Sequence, residues 1–266
     1  MAEITLKDIR LPEYTLEDLR GVGQLRDEML QAPVQICVER AWYITQYMKE
    51  HTREEMEAHP LLYRARAVYN YLSNKKPVIP DRNLLAGTTG AYLKTAPVYP
   101  EFIGLTIWSE LDTISGRGKN PQLLTKKDAE KLNFDIYPYW IDRDVLASTK
   151  KEYGNIMPVR LLEKMIFYVS GKAGCISHTV PDFKRVLAEG LESVIREADE
   201  KAASAKPEEQ EFYQAVALSL KGLIRYAENL SKEAERQAMN ETDRERREQL
   251  LKMAEVCSRI PAKPAC

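Results

Sequence analysis

The stretch Pro207 to Asn240, PEEQEFYQAVALSLKGLIRYAENLSKEAERQAMN, decides the fold class. Tyr213, Val216, Leu220, Leu223, Ala227, Leu230 and Ala234 step along it by alternating threes and fours. That spacing draws one apolar seam on a helix, about three heptads long. A second stripe, Leu250, Met253 and Cys257, follows a break near Asn240. Two such helices joined by a short turn predict an antiparallel hairpin over residues 207–260. The charge-rich outer faces of both read as solvated surface.

Toward the N-terminus the helical period recurs in shorter pieces. Pro181 suits the first turn of a helix running through Val186, Leu187, Leu191 and Ile195, and Val159 to Val169 reads as an apolar helix buried on most sides. Thr15 with Asp18 opens a helix from Leu16 to Leu30, which Gly21 and Gly23 weaken. Pro33 predicts the first turn of another, with Ile36, Ala41, Ile44 and Met48 at near-helical spacing. Leu61 to Leu72 is a third, with Leu62, Ala65, Val68 and Leu72 on one face and Arg64 and Arg66 elsewhere. Between Pro77 and Pro100 the apolar residues sit among Pro, Asp, Asn and Gly, which predicts short strands and turns. Helical spacing returns from Phe102 to Ile114, and Thr125 with Asp128 opens a short helix. Pro138, inside the aromatic run Ile136 to Trp140, argues against a continuous helix there. The fold class is therefore mainly α with a few short strands.

Composition removes several functions. With 39 Lys+Arg against 40 Asp+Glu, the net charge of -1 supplies no field for phosphate backbones, so nucleic acid is not an expected partner. Apolar runs are only a few residues long, well short of the roughly 20 that a bilayer span needs, and MAEITLKDIR has no signal-peptide core. No membrane and a cytoplasmic location are the expectations. Cys37, Cys175, Cys257 and Cys266 contain no C-x-x-C pair, and His51, His59 and His178 share no ligand spacing, so no metal site is expected.

One loop stands out. His178 lies in GKAGCISHTVPDF (Gly171 to Phe183), just ahead of a helix start whose positive end disfavours an imidazolium. A neutral ring there suits a substrate hydroxyl or carboxylate, and it equally suits a cap on the loop or the helix N–H groups. The residues alone leave both roles open. Cys175 reads as a small buried hydrophobe rather than a Cys/His nucleophile, and Asp182 as a stabiliser of its helix's first turn rather than a base. Tyr137, Tyr139 and Trp140 read as core. Arg40, Arg64 and Arg66 could grip a carboxylate, but Arg on a helix beside Glu39 reads first as an ion pair. No catalytic constellation is specified.

The order of several segments resembles the N-terminal part of the glycyl radical enzymes, the pyruvate formate-lyase-like family. They are PVQICVERAWYITQY (Pro33 to Tyr47), LYRARA (Leu62 to Ala67), NLLAG (Asn83 to Gly87), YPEF (Tyr99 to Phe102), WSELDTI (Trp108 to Ile114), IYPYW (Ile136 to Trp140) and SHTVPD (Ser177 to Asp182). The resemblance implies a helical region, residues 1–266, packed around an α/β barrel built largely from later sequence, so that the barrel is incomplete here. It is closer to the dehydratase and lyase branches than to pyruvate formate-lyase itself, and it implies that His178 faces the substrate pocket.

The family also needs a cysteine on a G-C-x-E loop and a radical-bearing glycine in an R-V-x-G-Y motif. Neither occurs, since Ile176-Ser177 follows Gly174-Cys175 and the chain has no Gly-Tyr dipeptide. The expectation is an N-terminal fragment of a lyase or dehydratase that cleaves C–C, C–O or C–N bonds of a small polar substrate only when complete. No cofactor is expected in this chain, the glycyl radical belonging to a missing C-terminal part. Implied partners are the substrate, the remaining barrel, a radical S-adenosylmethionine activase and a second copy in a homodimer. The alternative is a non-catalytic helical scaffold or binding module that associates through the Tyr213 to Ala234 seam.

Overall fold

The computed structural model describes residues 16–102, 104–152, 157 and 181–265. The chain forms two compact units, Met1–Ala32 and Pro33–Cys266. In the first, α1 (Leu16–Gln31) spans the expected helix despite Gly21 and Gly23, and Ala32 N–H donates to Glu28 O at 2.9 Å beyond its end.

In the second unit the expectation for Pro33 fails. Pro33 does not begin a helix. Instead β1 (Gln35–Cys37) pairs in parallel with β2 (Thr95–Pro97), Ile36 opposite Ala96. On its other side Ile36 N–H donates to Leu123 O and Leu123 N–H donates to Val34 O, at 2.9 and 2.8 Å. With backbone groups satisfied on two flanks and Ile36 buried, the extended form outcompetes a first helical turn. Helix α2 (Glu39–Glu50) starts only after Val38. A short α3 (Arg53–Ala58), absent from the sequence expectation, carries a complete capping box between Thr52 and Glu55. Then α4 (Pro60–Asn74) begins on its proline and buries Tyr63, Ala65 and Ala67, leaving Arg64 and Arg66 exposed.

Among the described residues, Thr95–Pro97 is the one strand formed between Pro77 and Pro100. Residues 77–94 form an irregular strap instead, pinned by side chains: Arg246 donates to Pro80 O and Asn83 O at 3.1 and 3.0 Å, and Lys75 to Thr88 O at 2.7 Å. The predicted helix from Phe102 to Ile114 resolves into two 3₁₀ pieces, Gly104–Glu110 and Ile114–Gly116. Thr125 caps α5 (Lys126–Glu130) as expected, accepting from Asp128 N–H at 3.1 Å.

Pro138 is accommodated rather than helix-breaking, a second correction. A π-helix (Lys131–Ile136) widens the ladder immediately before it, so that Tyr137 N–H reaches back five residues to Leu132 O, and α6 (Tyr137–Trp140) places Pro138 in its first turn. Helix α7 (Val145–Glu152) follows.

The helix expected from Pro181 through Ile195 is two helices, α8 (Phe183–Glu189) and α9 (Leu191–Ser204), broken at Gly190 with φ +74°. No side-chain-bearing residue adopts the backbone shape of Gly190 easily, so the chain breaks there although the apolar spacing runs on. Helices α10 (Pro207–Asn240) and α11 (Arg244–Arg259) complete the chain's described elements.

Helix α10 packs against α4, α9 and α11. It does so on small residues: Ala215, Ala217, Gly222, Ala227, Ser231, Ala234 and Ala238 are all buried. A Cβ on Gly222 would sit 3.2 Å from Tyr69 Cα, so glycine sets how closely α4 approaches. Leu223, assigned to the seam by spacing, is instead 43% exposed, because a helix with three neighbours has no single apolar stripe.

The largest core joins Ile36, Val38, Ala41, Ile44, Val98, Ile114, Leu132, Ile136, Tyr137 and Trp140. Tyr137 and Trp140 are therefore core, as the sequence suggested. The Tyr137 hydroxyl is buried and makes no hydrogen bond among the described residues, and burial pushes its ionisation well upward. Tyr137→Phe is accordingly expected to stabilise the protein by about 1 kcal/mol, because an unpaired buried hydroxyl is removed at constant shape. Thermal unfolding of the variant checks this; a lower Tm would mean that the hydroxyl has a partner.

Candidate functional site

The loop carrying His178 and Cys175, and the helix expected over Val159 to Val169, lie outside the described residues. What is described is the frame on the loop's C-terminal side. Asp182 is the N-cap of α8, its carboxylate accepting from Arg185 N–H at 3.2 Å. That is the capping role expected of it, since a short acidic side chain satisfies an orphan N–H and faces the positive helix end. Arg185 then bridges Glu189 on its own helix and Glu197 on α9. Hydrogen bonds from Lys201 and Arg185 hold the Glu197 carboxyl down at about 2. The α8–α9 corner is further tied to the chain after α11: Leu191 and Glu192 N–H groups donate to Pro261 O and Ala262 O at 2.8 and 3.0 Å.

A second polar group gathers where α2, α4, the strap and α10 meet. Arg40 pairs with Glu101 at 2.5 Å and lies 4.3 Å over the Tyr99 ring, joining α2 to the YPEF turn. The neighbouring Glu39 accepts from the Lys76 N–H at 2.7 Å. So Arg40 pairs across the fold, not with Glu39 beside it.

Lys75 is only 6% exposed, with its amine donating to Thr88 O and sitting 4.1 Å over the Tyr226 ring. Burial lowers its pKa, opposed by the charge of Glu39, and burial likewise raises the Tyr226 phenol to about 12. Sequence reasoning missed this residue because a lysine beside a second lysine at a helix end looks like surface. Its cue is weak: Pro77 ends the helix two residues later and turns the strap back over the amine.

Chemically, these groups hold elements together. Glu39 Oε2, Arg40 Nη1 and Glu101 Oε2 are buried without a hydrogen-bond partner among the described residues, and Cys37 is 4% exposed with its thiol pushed up by burial, the opposite of an activated thiolate. Cys257 is likewise raised by burial. Among the described residues no cluster of three His, Cys, Asp or Glu side chains is set to hold a metal ion. No described helix is long and apolar enough to cross a membrane.

The described residues thus form a helical body with one short parallel strand pair, and among them no catalytic constellation is assembled. Residues 17–266 match the family model described as pyruvate formate lyase-like, and the chain belongs to that family. It is 28% identical over 250 residues to an isethionate sulfite-lyase of Nitratidesulfovibrio vulgaris, covering 86% of this chain and 29% of that protein. It is 29% identical over 253 residues to a (2S)-3-sulfopropanediol dehydratase of Klebsiella oxytoca, covering 90% and 30%.

Among solved structures, a glycyl radical enzyme from Archaeoglobus fulgidus is similar at a TM-score of 0.78 and 30% identity, over 92% of this chain and 31% of that one. The B12-independent glycerol dehydratase of Clostridium butyricum is similar at 0.80 and 25% identity, over 92% and 31%. These likenesses place the chain with the N-terminal part of the dehydratase and lyase branch of glycyl radical enzymes. The chain spans about 30% of the length of these relatives.

Proposed function

We propose that this chain forms the helical N-terminal part of a glycyl radical lyase or dehydratase that cleaves a C–C, C–O or C–N bond of a small polar substrate. The observation that carries the reading is the match along 86–90% of the chain to lyases and dehydratases of one branch, with solved glycyl radical enzymes sharing its fold. A glycyl radical supplies hydrogen abstraction in such an enzyme, through a cysteine. The residues present do not fit that group: the 266 residues contain no G-C-x-E or R-V-x-G-Y motif, and Cys37 is packed against Gly90 and Ala91 rather than open to a substrate.

The contribution of this chain is positional. Its helices brace the wall of the cavity, and the loop ending at the Asp182 cap carries His178 to the substrate, where a neutral imidazole exchanges one hydrogen bond with a hydroxyl or carboxylate. A cytoplasmic setting, a radical S-adenosylmethionine activase and a homodimer belong to the same proposal. The scaffold alternative rested on the seam of α10, and the buried residues of that helix are packed against α4, α9 and α11.

The test uses the activated enzyme that contains this chain together with its cysteine and glycine loops. His178→Ala is expected to raise KM for the substrate by about tenfold, the loss of roughly one hydrogen bond of 1.4 kcal/mol, with the radical signal retained. Unchanged KM and kcat would return His178 to a capping role.

A further inference from the structure

We draw no further inference here: the strongest candidate, the exposed apolar stripe of Phe134, Pro138, Ile141 and Val145 along the π-helical turn, α6 and the start of α7, carries nothing because nothing in the structure shows what covers it.

Discussion

Gly190→Ala is expected to cost about 3 kcal/mol or more, since a Gly-only backbone region alone costs a substituted residue roughly 1–3 kcal/mol and a backbone collision adds to it. Gly190 has φ +74° and ψ 164° between α8 and α9. A Cβ there would collide with Ala262 O and lie 2.5 Å from the Lys263 carbonyl carbon, and neither atom is the movable end of a side chain. Relief requires pushing the segment after α11 away, which breaks the bonds from Leu191 and Glu192 to Pro261 and Ala262. Denaturant unfolding of the protein that carries this chain measures the loss, and hydrogen exchange should show Leu191 and Glu192 amides deprotected first. Gly116→Ala is the control: among the described residues nothing lies within 4 Å of its added methyl, and a change within about 0.5 kcal/mol is expected. Equal effects at the two glycines would refute the corner as a fixed frame.

Trp140→Ala should be comparably damaging, at about 3–5 kcal/mol for loss of a buried indole and the cavity left behind. Trp140 is 5% exposed, in the core that joins α2 to the π-helical segment. Its Nε1–H donates to Thr45 Oγ1 at 2.8 Å, and the Thr45 hydroxyl donates to Ala41 O at 2.6 Å. Packing and hydrogen bonding separate cleanly in a second variant. Trp140→Phe keeps much of the ring volume and loses the bond to a hydroxyl that remains engaged with Ala41, so about 1–2 kcal/mol is expected. Denaturant midpoints for the two variants decide the matter. If Trp140→Phe costs as much as Trp140→Ala, the hydrogen bond and not the packing carries the site.

These two residues mark opposite limits of what the sequence discloses. Trp140 was legible as core because aromatic density beside apolar residues has few other outcomes. Helix α10 was legible because 34 residues of helical period leave little ambiguity, though its neighbours α4 and α9 were not, and Leu223 fell on the wrong side as a result. Strand β1 was hidden because its three residues are held by partners near Lys94 and Leu123, some sixty and ninety positions away, which no local pattern records. The π-helical turn before Pro138 was hidden for a similar reason: a proline marks a lost N–H, but tertiary packing decides whether the chain breaks or widens its ladder. Gly190 was readable in principle, as a lone glycine inside an apolar-periodic stretch is a break signal. The Lys75 site was not, since an amine becomes buried only when a distant strap and Tyr226 close over it. For the site loop, residue chemistry left His178 with two roles, and only the family resemblance favours one.

By the proposed reading these 266 residues line a cavity wall, and they contain neither the G-C-x-E cysteine nor the R-V-x-G-Y glycine. The most direct test of that reading is electron paramagnetic resonance of the purified 266-residue polypeptide, incubated anaerobically with S-adenosylmethionine and the activase of the complete enzyme. No glycyl doublet is predicted, against a clear doublet from the complete enzyme in the same experiment. A doublet arising from the 266 residues by themselves would contradict the claim.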